Sequence, residues 1–176
     1  MDTRFSHICL LLTVLYCTTA VQAIEPSWIS AAGPSCPLFR KEFTLTAAPE
    51  KAVVQIVGLG HFHLQVNGRR AGDAAINQAW SQYDKTIYIV ELDVASLLQA
   101  GPNALGVMLG NSFWFNPPAP SGRYHKQGAE TDFGPQFLLW LKADITSADG
   151  SLVRVVSDET WKTDAGPVTF SHVFGG

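Results

Sequence analysis

The chain has 176 residues and a formal net charge of −3, with 12 Lys and Arg against 15 Asp and Glu and no basic block. That balance argues against a nucleic-acid-binding surface, which needs clustered cations. Hydrophobic residues make up 47%, too many for a disordered segment and enough to fill one core in a chain of this length.

The first residues read as a secretory signal peptide. Arg4 gives a weak basic start, residues 8–16 form an apolar run broken by Thr13, and Val21-Gln22-Ala23 ends in the small-residue pattern a signal peptidase cuts. The run is too short to span a bilayer. We expect cleavage after Ala23 and a secreted or periplasmic mature chain, free of the membrane once cleaved. Cys9 and Cys17 leave with the leader, so Cys36 remains as a single thiol. It forms no internal disulfide, and without an activating context it reads as a quiet, partly buried side chain.

Residues 24–37 are a Pro-, Ser- and Gly-containing lead-in, expected to be extended, and the domain proper is read as residues 38–176. Strand patterns follow at 38–45, 51–57 and 61–66. In the third, Phe62, Leu64 and Val66 alternate with His61, His63 and Gln65, the period of a strand with one buried face. Asn67-Gly68 supplies the positive backbone angles of a tight turn. Residues 86–93 give another strand, and Asp93 is placed to cap a short helix through Ser96-Leu97-Leu98 that Gly101-Pro102 stops. Leu105, Val107 and Leu109 alternate in the next strand, and Phe137, Leu139, Leu141, Ala143 and Ile145 in a long one. Asp149-Gly150 turns that strand into 151–157, and 167–173 reads as the last. Short strands at regular spacing with one helical turn indicate an all-β antiparallel sandwich. Residues 113–135 break the pattern with a Pro- and Gly-rich loop, a place where function tends to lie.

Several patterns invite chemistry. Gly58-Leu59-Gly60 lacks the third glycine of a dinucleotide fingerprint and is followed by a strand, so a strand-to-strand bend explains it better. His61 and His63 share one strand face, a spacing that places two imidazoles on a metal. A third ligand would have to come from afar, from His125 or Asp132, and two polar residues facing water is the better account. Glu130 and Asp132 form a loop carboxylate pair. Solvated charge is the preferred reading, calcium the next, and glycoside hydrolysis the last, because that reaction needs two rigidly opposed carboxyls. The strongest site candidate is residues 111–116 with Arg123-Tyr124-His125. Here Phe113, Trp114 and Tyr124 offer ring faces for a sugar's C–H face, and Asn111 offers an amide for its hydroxyls. The competing reading has Phe113 and Trp114 plug the end of the sandwich or an adjoining domain. No nucleophile elbow, zinc-binding His pair or P-loop occurs, and the chain alone is not expected to be an enzyme.

Taken in order, these residues resemble the N-terminal domain of bacterial α-L-rhamnosidases, glycoside hydrolase family 78. The resemblance starts at Leu38-Phe39-Arg40-Lys41-Glu42-Phe43 and includes Gly58-Leu59-Gly60, Val66-Asn67-Gly68-Arg69-Arg70-Ala71-Gly72-Asp73, and Trp80 with Tyr83-Asp84-Lys85. It continues through Asp93-Val94, Gly101-Pro102-Asn103-Ala104-Leu105-Gly106-Val107, Leu109-Gly110-Asn111 and Ser157-Asp158-Glu159-Thr160-Trp161-Lys162. It implies a jelly-roll, galactose-binding-like sandwich ahead of an (α/α)6-barrel catalytic domain that is absent here. The family pattern would continue past Gly176, so a fragment of a longer hydrolase is expected. The implied partners are that catalytic domain and a rhamnose-containing glycoside or plant polysaccharide. No cofactor is required; calcium assists rhamnose binding in some related domains, but no ligand set carries over by position. Where the family commonly has Gly-Trp-Tyr this chain has Ser112-Phe113-Trp114, which sets its loop apart. The function expected is a non-catalytic carbohydrate-recognition module, with Asn111, Phe113, Trp114 and Tyr124 as sugar contacts; the alternative is a domain that only buttresses the barrel.

Overall fold

The computed structural model describes residues 24–31, 36–115, 133–134 and 136–171. Apolar residues at every second position give strands that must bury one face, and the described residues form them in nine segments. These are β1 (Leu38–Leu45), β2 (Pro49–Leu59), β3 (His61–Val66), β4 (Arg69–Arg70), β5 (Val90–Asp93), β6 (Gly101–Gly110), β7 (Leu138–Ser147), β8 (Leu152–Val156) and β9 (Lys162–Asp164). They pair antiparallel into a five-stranded sheet, β4-β3-β6-β1-β9, and a four-stranded sheet, β5-β2-β7-β8. The expected all-β sandwich is the fold. Among the described residues the helical element is a single 3-10 turn, Ala95–Leu97, with the Asp93 carboxylate accepting the Ala95 N–H at 2.9 Å.

The two inner faces interdigitate. Phe39, Phe62, Leu64, Leu105 and Leu109 of one sheet meet Ile56, Leu139, Leu141 and Ile145 of the other, each with at most 1% of its surface exposed. Burying one such side chain contributes roughly 1.5–3 kcal/mol, so the core and not a cross-link holds the layers together. Cys36, the one free thiol among the described residues, is buried.

Gly60 is where the chain leaves β2 in one sheet and enters β3 in the other. Its φ of +139° is open to glycine alone, which makes Gly58-Leu59-Gly60 the corner of the sandwich and not a phosphate loop. Asn67 (φ 52°) and Gly68 (φ 77°) form the tight turn between β3 and β4. The Asn67 side chain donates to the Leu97 carbonyl and the Asn103 Oδ1, and its own Oδ1 accepts the Ala104 N–H. Gly150 (φ 78°) turns β7 into β8.

Two strand expectations need correction. Residues 86–89 are not in a strand; β5 begins at Val90, and Ile87, Tyr88 and Ile89 stand exposed because no neighbouring strand reaches them. The last strand is not 167–173. Residues 167–171 are irregular, and Lys162–Asp164 pairs instead with β1 at the sheet edge. Residues 1–23, where a signal peptide is expected, and residues 172–173 lie outside the described residues.

Candidate functional site

The segment after β6 folds over the outer face of the four-stranded sheet. Val57, Leu59, Leu138 and Trp140 project outward there, and Tyr83, Phe113 and Trp114 cover them as a second apolar cluster. Trp114 is fixed from several sides. Its ring meets Tyr83 edge-on at 5.7 Å, its Nε1–H donates to the Gln136 carbonyl at 2.9 Å, and its N–H donates to Ser112 Oγ at 3.2 Å. Gly134 lies so close that an added Cβ would overlap the indole. Phe133 packs on Tyr83 with ring centroids 5.4 Å apart. Burial pushes the Tyr83 phenol up, opposed by a hydrogen bond with Ser112, so it stays protonated at neutral pH.

Phe113 belongs to this cluster on one side and stacks on Trp80 on the other, with centroids 4.3 Å apart and planes tilted by 39°. Trp80 nevertheless remains 64% exposed. Beside the pair opens a cleft of about 510 Å³ lined also by His61, Ile76, Gln78, Asn111 and Ser171. Two of its amides are buried. Gln78 Oε1 accepts the Gly58 N–H at 3.0 Å; β5 pairs with β2 only as far as Ile56, so Gln78 takes the place of the strand partner that this N–H would otherwise lack. Asn111 Nδ2 donates to the Ser171 carbonyl, whereas its buried Oδ1 accepts no bond among the described residues. An orphaned buried acceptor is costly and marks a place where an incoming hydroxyl would be welcome.

Of the four expected sugar contacts, Asn111 and Phe113 line one cleft, Trp114 lies behind them in the packing, and Tyr124 falls outside the described residues, as do His125, Glu130 and Asp132. Trp80 was not among the expected contacts, though it is the most open ring at the cleft. Residues 72–85 carry no hydrophobic period, so only its membership in the ordered family series pointed to it. His61 and His63 do share an outward face, but only His63 is exposed; His61 is half-buried at the cleft, and burial lowers its pKa below 6.5. Its neutral ring is therefore available there at pH 7 as both donor and acceptor. The unfolded chain takes up the proton first, so stability should fall as pH drops from 6.5 through the lowered folded value. Urea titrations of the chain and His61→Gln at pH 7.5 and 5 should show a smaller loss in the variant. Among the described residues no three His, Cys, Asp or Glu side chains stand close enough to hold a metal ion.

Comparison with known proteins agrees with this architecture. The family model described as "Alpha-L-rhamnosidase N-terminal domain" matches residues 47–176. An α-L-rhamnosidase of Formosa agariphila is 35% identical over 157 residues, which is 84% of this chain and 15% of that enzyme. The crystal structure of the α-L-rhamnosidase from Aspergillus terreus superposes with a TM-score of 0.72 at 28% identity, covering 84% of this chain and 17% of the other. That of the Streptomyces avermitilis α-L-rhamnosidase complexed with L-rhamnose gives 0.66 at 25%, covering 77% and 12%. The chain thus spans about a sixth or less of these relatives, and the part it spans is their β-sandwich. By sequence match and by fold, it belongs to the α-L-rhamnosidase N-terminal domain family.

Proposed function

We propose that this domain is a non-catalytic carbohydrate-recognition module of a secreted α-L-rhamnosidase and that a terminal sugar sits in the Trp80–Phe113 cleft. One observation carries the reading: a largely exposed indole, held in place by a ring beneath it, stands beside a buried amide oxygen with no partner among the described residues. A ring face takes the C–H face of a sugar, and the Asn111 Oδ1 and His61 take its hydroxyls. The relative from Streptomyces avermitilis holds L-rhamnose, which makes a rhamnose-bearing glycoside the first ligand to try. Secretion rests on the leader pattern in residues 1–23, and the rhamnosidase activity itself belongs to a catalytic domain outside this chain.

Isothermal titration of the chain with L-rhamnose, with and without calcium, is the test. We expect a dissociation constant of roughly millimolar size and at least a tenfold loss in Trp80→Ala, about 1.4 kcal/mol. No heat at tens of millimolar sugar, or equal binding by Trp80→Ala, would discard the reading. The buttress alternative draws on a different observation, the exposed Ile76, Tyr88 and Ile89 near Trp80 in sequence, since open apolar surface is often a docking face. It predicts self-association of the isolated chain and no heat with any sugar.

A further inference from the structure

The outer face of the five-stranded sheet carries a second surface with different chemistry. Strand registers place Gln65 opposite Arg70, Gly106 opposite both Gln65 and Arg40, and Arg40 opposite Lys162. One row therefore crosses all five strands, reading Arg70, Gln65, Gly106, Arg40, Lys162. At about 4.8 Å per strand it is about 19 Å long. Gly106 at its centre makes a gap, because a Cβ built there meets no atom within 4 Å. The gap is the middle of a trough of about 430 Å³ along β6, floored by Ala104, Gly106 and Met108 and walled by Gln65 and His63 on one side and Arg40 on the other.

The charge on this row is of one sign. Glu42, next along β1, is the anion that answers it, at 2.7 Å from Arg40 and 3.4 Å from Lys162. One carboxylate between two cations, with Arg70 a third, leaves an excess of positive charge. Asp164 offsets part of it at the edge of the neighbouring row, opposite Leu38. On a chain whose net charge is −3, a cationic row over a small-residue trough is a local reversal of sign. Arg70 is also oriented, through its bond to the Ala74 carbonyl, which leaves its other N–H donors for a ligand.

We propose that this trough binds a segment of an anionic polysaccharide, with one sugar ring over Gly106 and acidic groups of the flanking rings on Arg40 and Arg70. A polymer suits it better than a single sugar because the row is longer than one ring and open at both ends. The site is separate from the Trp80 cleft and stands or falls independently of it.

The test is titration of the full chain with oligogalacturonate, with a neutral oligosaccharide, a sulfated glucan and a single-stranded oligonucleotide of matched length alongside. Oligogalacturonate should bind at low salt and weaken as salt rises. Arg40→Gln and Gly106→Leu should each weaken it at least tenfold, and Trp80→Ala should stay within about twofold. Tighter binding of oligogalacturonate than of the sulfated glucan would support carboxylates as the anion, and the reverse order would support sulfates. The proposal is overturned by no binding of either glycan at millimolar concentration. Equal binding of both glycans and the oligonucleotide would overturn it too, as would unchanged binding in folded Arg40→Gln and Gly106→Leu.

Discussion

Gly60→Ala should cost the fold about 3 kcal/mol or more. Two penalties coincide at that position. The backbone sits at φ +139°, which a side chain disfavours, and the new methyl would lie 2.5 Å from the Gly110 carbonyl oxygen and 3.1 Å from the Phe137 ring. The first obstacle is backbone in the neighbouring strand β6, so no rotamer change relieves it. A domain stabilised by about 5–15 kcal/mol would lose a large share of its margin. Gly101→Ala is the internal control. Its φ of +88° brings backbone strain, but its Cβ meets nothing within 4 Å, so about 1 kcal/mol is expected. Urea denaturation of the two variants separates strain from collision, and equal midpoints would refute the steric account.

Asn103→Ala is the other substitution with a large expected cost, again about 3 kcal/mol. The side chain is buried and uses all four of its hydrogen-bonding sites. Oδ1 accepts from Asn67 Nδ2 at 2.8 Å and from the Gln99 N–H at 3.0 Å, while Nδ2 donates to the Gln99 carbonyl at 2.8 Å and the Gly101 carbonyl at 2.9 Å. Truncation takes the partner from the Gln99 N–H and from the Gln99 and Gly101 carbonyls, all in part-buried bonds. Asn103→Asp should be no better, since it replaces two donated bonds with oxygen facing carbonyl oxygen. Thermal melting reads both, and a midpoint within a degree or two of the parent chain would contradict the network's importance. This residue also joins Val66-Asn67-Gly68 to Gly101-Pro102-Asn103, two segments that carry the resemblance to the family. One amide ties the two turns to each other.

How much of this was legible beforehand follows from where side chains or backbone do the work. Buried strands announce themselves by period, and β1, β3, β6 and β7 stand close to where the alternation of Phe, Leu and Val put them. Edge strands do not. Lys162–Asp164 has three exposed polar residues and no apolar alternation to announce it, a pattern common at sheet edges, whereas the apolar stretch after Pro167 looked like a strand and forms none as far as residue 171. Residues 86–89 have strand-forming side chains but no partner to pair with. The site was half legible for a similar reason. Asn111 and Phe113 sit directly after a periodic strand, where a loop residue can be placed by counting. Trp80 and Gln78 arrive from an aperiodic stretch, and only the long-range bond from Gly58 to Gln78 and the stacking on Phe113 bring them to the cleft.

The lead-in has a mechanical consequence. Ser27 bonds to Ser157, and Ile29 exchanges both backbone hydrogen bonds with Leu139, so the chain touches the four-stranded sheet before crossing to begin β1 in the five-stranded one. Tension applied at Ile24 would peel these few contacts one after another, at low force. It would then meet the eight residues of β1, clamped between β6 and β9, where β6 pairs along the whole strand and must yield together. A domain tethered from its N-terminal side would thus lengthen by a short, reversible step before its core felt any load, and single-molecule pulling should record a small early extension ahead of the main rupture.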